Sequence, residues 1–142
     1  MSAPLVEDQS VLVTGCSSGI GLATAERLRS RGWTVFPTAR KVEDLDALEA
    51  AGFAAVQLDV TSSASIAATV DEVLFQNGGK LGAVVNNAGF GMPGAIEDLT
   101  RDAMRHQFEV NVFGAQELTN RLIPVFRAQG YGRIVNLSSV VG

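Results

Sequence analysis

Five short β-branched runs, each separated from the next by a stretch of helical periodicity, restrict this chain more than any other feature. They cover Ser10 to Thr14, Trp33 to Thr38, Ala54 to Leu58, Leu81 to Asn86 and Arg133 to Leu137. Their apolar residues are near-continuous instead of alternating, the pattern of strands covered by helices on both faces of a parallel sheet. The segments between them carry a 3.6-residue period. Ile66, Val70, Val73 and Leu74 form one stripe behind a Thr61/Ser62 N-cap candidate, and Ala115, Leu118, Leu122 and Val125 form another. Pro124 is placed to bend that last helix and Gly130 to end it. Strand and helix in strict alternation predict an α/β fold, a doubly wound parallel sheet with right-handed crossovers.

With 142 residues, 46% of them hydrophobic and 18% charged, the chain is long enough for one domain with a real core. No repeat, low-complexity tract or linker divides it, so residues 1–142 read as a single unit. A net charge of −4 with scattered cations argues against nucleic acid as a partner. The N-terminus lacks a basic region followed by an apolar one, and no apolar run reaches spanning length, so a cytoplasmic protein without a membrane partner is expected. Cys16 has no second cysteine to pair with, and one cysteine with one distant His106 makes no metal-ligand cluster.

The first strand runs into Thr14-Gly15-Cys16-Ser17-Ser18-Gly19-Ile20-Gly21 and then into a helix with Ala23, Ala25 and Leu28 among charged residues. Glycines in a strand–turn–helix context let the backbone turn tightly and approach a pyrophosphate, while free N–H groups and the helix dipole favour its charge. The plain alternative is a tight turn with close helix packing. No Gly-Lys-Ser/Thr ends the turn, which removes the P-loop reading and nucleotide hydrolysis with it.

The spacing Gly-x-x-x-Gly-x-Gly after Thr14 resembles that of the short-chain dehydrogenase/reductase family, and four further segments agree with it in order. Leu58-Asp59-Val60-Thr61 resembles the family's adenine-contacting segment, and Asn86-Asn87-Ala88-Gly89 its Asn-Asn-Ala-Gly signature. Asn111 within Glu109 to Gly114 matches the helix asparagine, and Ile134 to Gly142 the strand and loop with the catalytic serine. Singly, Asp59 reads as well as a helix cap, Asn86 and Asn87 as turn residues, and the serine pair as a loop. Jointly, they fall at strand ends or adjoining helices, where open α/β sheets bind ligands. The resemblance implies a Rossmann-like domain whose cofactor-binding residues include Thr14, Gly15, Ser17, Ser18, Gly19, Ile20, Gly21, Asp59, Val60, Asn87, Ala88 and Gly89.

An NAD(H) site places an acid about 20 residues beyond the glycine turn, on the ribose 2′-hydroxyl. Here Ala39 occupies the corresponding position and Arg40 and Lys41 follow. A carboxylate would repel a 2′-phosphate, whereas a guanidinium meets it with paired charge-assisted hydrogen bonds, so NADP(H) is favoured over NAD(H). Ser18 offers a hydroxyl to the same phosphate. The alternative for Arg40 and Lys41 is solvated surface charge.

The resemblance also implies hydride transfer between nicotinamide and a carbonyl or alcohol carbon, with the protein supplying orientation and proton transfer. Ser139, more than Ser138, matches the serine that holds the substrate oxygen, and Asn111 the asparagine that supports a proton-relay water. The family's Tyr-x-x-x-Lys acid is expected downstream of Ser139, and the chain reaches Gly142 without it. Tyr131 precedes the fifth strand, about 20 Å from its catalytic end at roughly 3.3 Å per residue. The expectation is therefore a domain incomplete at its C-terminus, truncated after the fifth strand and inactive in isolation, with that strand as an open edge.

Three readings follow: the N-terminal part of an NADP(H)-dependent oxidoreductase; a non-catalytic NADP(H)-binding module, completed by another chain or segment; or a remnant that binds nothing. Apolar Phe90 and Met92, with the form of the glycine turn, resemble hydroxysteroid- and retinol-type members, which implies an apolar alcohol or ketone substrate. Ordinary loop packing explains the two side chains equally well. The helix from Asn111 to Gln129 resembles one that pairs between subunits, leaving a homo-oligomer open.

Overall fold

The run Ser-Val-Leu-Val forms β1 (Ser10–Val13), every residue of it buried, in the computed structural model, which describes residues 7–139. It is followed by α1 (Gly19–Ser30), β2 (Thr34–Ala39), α2 (Val42–Ala50), β3 (Val56–Gln57), α3 (Ser63–Gln76) and β4 (Ala83–Asn86). A 3-10 turn (Ile96–Asp98), α4 (Arg101–Phe108), a π-helical segment (Glu109–Gly114), α5 (Ala115–Gln129) and β5 (Arg133–Asn136) complete the order. The strands form one parallel five-stranded sheet in the order β3-β2-β1-β4-β5. This is the expected doubly wound, Rossmann-like α/β fold. Chain direction across the sheet reverses between β1 and β4, which makes that boundary the switch point.

Alternate residues of the central strands serve opposite layers. Leu12, Phe36 and Val84 pack with Ile66, Val70 and Val73 of α3 and Leu118, Leu122 and Phe126 of α5. Val11, Val13, Val35 and Val85 pack with Ala25 of α1 and Leu48 of α2, with Leu28 and Leu45 at the margin. Near-continuous apolar strands thus have helices on both faces, as their pattern requires. Removing a leucine side chain from water contributes about 1.5–3 kcal/mol, so these two layers dominate the favourable side of folding. Polar links add direction: Ser63 donates to Glu117 at 2.8 Å between α3 and α5, and Arg29 donates to the Ala51 carbonyl at 2.7 Å while lying over the Phe53 ring.

Several boundaries differ from the sequence reading. The third strand shrinks from Ala54–Leu58 to Val56–Gln57, because β3 is the sheet's outer strand and pairs only with Thr38 and Ala39. The fifth strand is not covered on both faces: Ile134 and Val135 are 42% and 46% exposed, because β4 is its sole strand neighbour among the described residues. On α5 the buried stripe is Leu118, Leu122 and Phe126, with Val125 only half-buried, a strict four-residue spacing that follows α3. Ser62, not Thr61, caps α3, accepting from the Ser65 N–H at 3.2 Å. Pro124 lies inside α5, and Gly130, in the left-handed region at φ +82°, ends it. No described helix is long and apolar enough to cross a membrane.

Leu12, fully buried at the centre of the sheet, and Phe75, 86% exposed on α3, make a matched pair for testing this core. Chemical denaturation is expected to show a loss of about 2–5 kcal/mol for Leu12→Ala. Phe75→Ser should stay within about 0.5 kcal/mol.

Candidate functional site

β1 and β4 end side by side at the switch point, and the loops that leave them are tied together by one hydroxyl and one amide. Thr14 is buried, and its Oγ1 accepts from the Asn87 N–H at 3.0 Å and the Ala88 N–H at 2.8 Å while donating to the Val85 carbonyl at 3.4 Å. The Asn87 side chain returns the contact, donating from Nδ2 to the carbonyls of Thr14 and Gly15, both at 3.0 Å. Both side chains named from the sequence as ligand contacts are therefore occupied in holding the two loops to each other.

Two of the turn glycines answer to the same latch. A Cβ on Gly21 would overlap the Gly15 carbonyl oxygen and press on Asn87 Nδ2 at 2.5 Å, and one on Gly15 would stand 2.9 Å from Ala88 Cα. Gly15 also lies at φ +71°, a conformation that glycine adopts without strain. Their absence of side chains lets the turn sit against the Asn87-Ala88 loop and leaves its outer side open. There Gly19 and Ile20 begin α1 behind Ser18, whose side chain makes no cap hydrogen bond, and the first turn contains no acid. Ser17 and Ser18 are exposed and Ile20 is 66% exposed. An uncapped helix start without a local carboxylate suits a bound anion.

Beside this turn is a cleft of about 320 Å³. Gly15, Ser17 and Ala88 line it at the turn, Arg40 and Lys41 at the end of β2, and Asp59 and Val60 beyond β3. Seven residues named from the sequence thus share one cavity. Neither the Arg40 guanidinium nor the Lys41 ammonium forms an ion pair among the described residues. Gly89 packs outside the cleft, against Asn111. The sequence reading missed Thr38, Asp44 and Val110 in the lining, and Leu58 joins them beside Asp59. Thr38 reads as strand interior, and Asp44 in the first turn of α2 reads as an ordinary dipole partner. Val110 enters only because α4 and the π segment fold across the sheet end.

Asp59 forms a local turn, its Oδ1 accepting from the Thr61 hydroxyl at 2.7 Å and the Thr61 N–H at 2.9 Å. Those two bonds, with a smaller contribution from nearby Arg40 and His106, hold its carboxyl below the usual carboxylate value of 3.8. Cys16 faces away from this polarity. It is fully buried, and burial pushes its thiol up to about 11, so it stays an un-ionised packing residue.

Asn111 lies in the π-helical segment, a geometry that recurs at functional sites. Its amide grips the backbone of Phe90, accepting from the N–H at 3.0 Å and donating to the carbonyl at 2.8 Å. The Phe90 ring also stands 5.3 Å from that of His106. A Cβ on Gly114, at the segment's end, would overlap Val60, so this helix is pressed between the Val60 and Phe90 loops. Asn111's side chain is thereby committed to loop geometry. Ser138 and Ser139 follow β5 and are exposed, while the Val140 to Gly142 end of the serine motif lies outside the described residues. Tyr131 precedes β5, at the sheet end opposite the glycine turn.

Two tests follow from this geometry. Gly21→Ala is expected to weaken dinucleotide binding at least about 100-fold by forcing the turn off the Asn87 loop, read by ligand titration. For Asp59 the depressed carboxyl adds stability above its unfolded value and loses it as pH falls through the lower folded value. Denaturation midpoints for Asp59→Asn should therefore lie below those of the unaltered protein at neutral pH and converge with them as the pH falls through the lowered folded value.

A family model described as short chain dehydrogenase matches residues 9–142. The uncharacterized oxidoreductase YbbO of Escherichia coli strain K12 is 44% identical over 137 residues, covering 96% of this chain and 51% of that protein. Human retinol dehydrogenase 8 is 37% identical, over 94% of this chain and 45% of its own. A short-chain dehydrogenase structure from Streptomyces avermitilis superposes with a TM-score of 0.87 at 43% identity, covering 94% of this chain and 50% of that one. An actinorhodin polyketide ketoreductase solved with NADPH gives 0.83 at 34% identity, covering 96% and 55%. The chain spans about half the length of these relatives.

Proposed function

Because this chain belongs to the short-chain dehydrogenase family, we propose that it is the cofactor-binding part of a cytoplasmic NADP(H)-dependent oxidoreductase that interconverts an apolar alcohol and its ketone or aldehyde. The observation that carries this reading is an open helix start standing beside a cleft that holds two cations at the end of β2, neither of them ion-paired among the described residues. The helix start suits the pyrophosphate, and Arg40 and Lys41 suit a 2′-phosphate, which the carboxylate of an NAD(H) site would repel. The residues of the cleft fit the cofactor: Gly15 leaves its turn open, Ser17 offers a hydroxyl, and Asp59 and Val60 stand where an adenine edge needs polar and apolar contact.

Bound there, the nicotinamide supplies hydride chemistry. The chain's own residues orient and exclude. Thr14 and Asn87 hold the turn and the β4 loop together, Asn111 holds Phe90, and Ser139 donates to the substrate oxygen. Phe90 and Met92, both half-buried in the loop after β4, supply an apolar wall. A Tyr-x-x-x-Lys proton donor is absent from residues 1–142, so the 142-residue polypeptide on its own binds NADP(H) without turnover.

Titration with NADPH and NADH separates the cofactor readings. The chain is expected to prefer NADPH by about 10–100-fold, the worth of one or two charge-assisted contacts. The double change Ala39→Asp with Arg40→Ala should reverse the preference. Equal affinity for the two nucleotides would sink the NADP(H) assignment, and NADPH-dependent carbonyl reduction by the 142-residue polypeptide would sink the claim that its proton donor lies elsewhere.

A further inference from the structure

Asn86 closes β4 and is only 8% exposed, yet its amide is half satisfied. Nδ2 donates to Thr119 Oγ1 at 3.0 Å and to Asn136 Oδ1 at 2.8 Å, while the buried Oδ1 has no donor among the described residues. Turning the amide over does not cure this. Thr119 could then donate to the oxygen, but the nitrogen would take the place that lacks a partner, so one end is always left over. A buried, partly satisfied polar group costs stability that an apolar side chain of similar shape avoids, and Val84, two residues earlier on the same face, is such a side chain.

What the polar side chain does instead is join two loops. Asn136 is the register partner of Asn86 across β4 and β5, and the Leu137 N–H donates to the Asn86 carbonyl at 3.1 Å. Beyond Asn136 and Leu137 come Ser138 and Ser139. On the other side, Asn86 is followed directly by Asn87, whose N–H and amide hold Thr14 and Gly15 of the glycine turn. One buried side chain therefore stands between the cofactor turn and the serine loop, and Thr119 fixes it to α5.

We propose that Asn86, through Asn136, is a positioning residue that couples occupancy of the cofactor cleft to the order of the Leu137–Ser139 loop. The inference rests on the NADP(H) reading above and adds to it a reason for the serine to be in place only when cofactor is bound. The side-chain bond at 2.8 Å acts on Asn136, the last residue of β5, and the backbone bond at 3.1 Å on Leu137, which follows it, so a shift of the Asn87 loop reaches the serines through only a few bonded groups.

Amide hydrogen exchange of this chain with and without NADPH tests the proposal. In the unaltered chain NADPH should slow exchange at the Leu137 to Ser139 amides about tenfold. In Asn86→Leu and Asn136→Ala the slowing should fall below about twofold, with NADPH affinity within about threefold of the original. Asn136→Asp, which keeps an acceptor for Asn86, should restore it. Asn136 is exposed, so its variants read the coupling even where Asn86→Leu fails to fold. NADPH binding without loop protection in the unaltered chain, or protection that survives Asn136→Ala, overturns this inference alone. No NADPH binding by the unaltered chain overturns both it and the cofactor reading.

Discussion

The Thr14 hydroxyl is the contact on which the rest of the site depends. β1 and β4 are neighbours in the sheet but 71 residues apart at Thr14 and Val85, and the sheet ladder stops at their ends. From there Thr14 Oγ1, with the Asn87 amide in return, keeps two loops from separating. Buried hydrogen bonds of this kind contribute modestly when made and cost more when one partner is lost. Their value here lies in geometry: they fix where the first turn of α1 points relative to the loop that leads to Phe90 and Asn111.

Around that latch the site is divided by charge. The helix start has no acid of its own, and two cations stand at the end of β2. Asp44 and Asp59 line the same cleft, and Asp59 is held ionised chiefly by Thr61. A carboxylate fixed by its own neighbours in this way keeps a defined orientation at the cleft wall. The neutral Cys16, sealed under the turn, marks the change from polar surface to core within a single residue step.

Helix position is set by packing against both sheet faces, and the site inherits its precision from that packing. The π-helical segment illustrates it. α4 carries no buried residue, so little within it determines its place. The segment after it is pressed on Val60 by Gly114 and bonded to Phe90 by Asn111, and α5 then continues with Leu118, Leu122 and Phe126 in the core. One helical run thereby bridges the cleft wall beyond β3 and the loop beyond β4, and both positions follow from core contacts made farther along the same run.

The sequence by itself determined the elements and their class. Near-continuous β-branched strands demand cover on both faces, and three- and four-residue stripes provide it, so the doubly wound sheet was legible from Leu12, Val35, Ile66 and Leu118 alone. The candidate site was legible in part: residues of the glycine turn, two cations after β2 and an acid after β3, all at strand ends, line one cleft. What the sequence did not contain was who touches whom. Thr14 and Asn87 were legible as a turn residue and a loop residue but not as each other's partners, and nothing local to Asn111 announced its grip on Phe90. Asn86 was legible as part of a motif but not as the partner of Asn136, and Asp44 and Val110 joined the cleft unannounced. Local patterns reflect periodicity and turn geometry within a few residues, whereas these contacts link residues 21 to 73 positions apart. Such pairings are decided only when the helices have packed and the strand ends are brought into register.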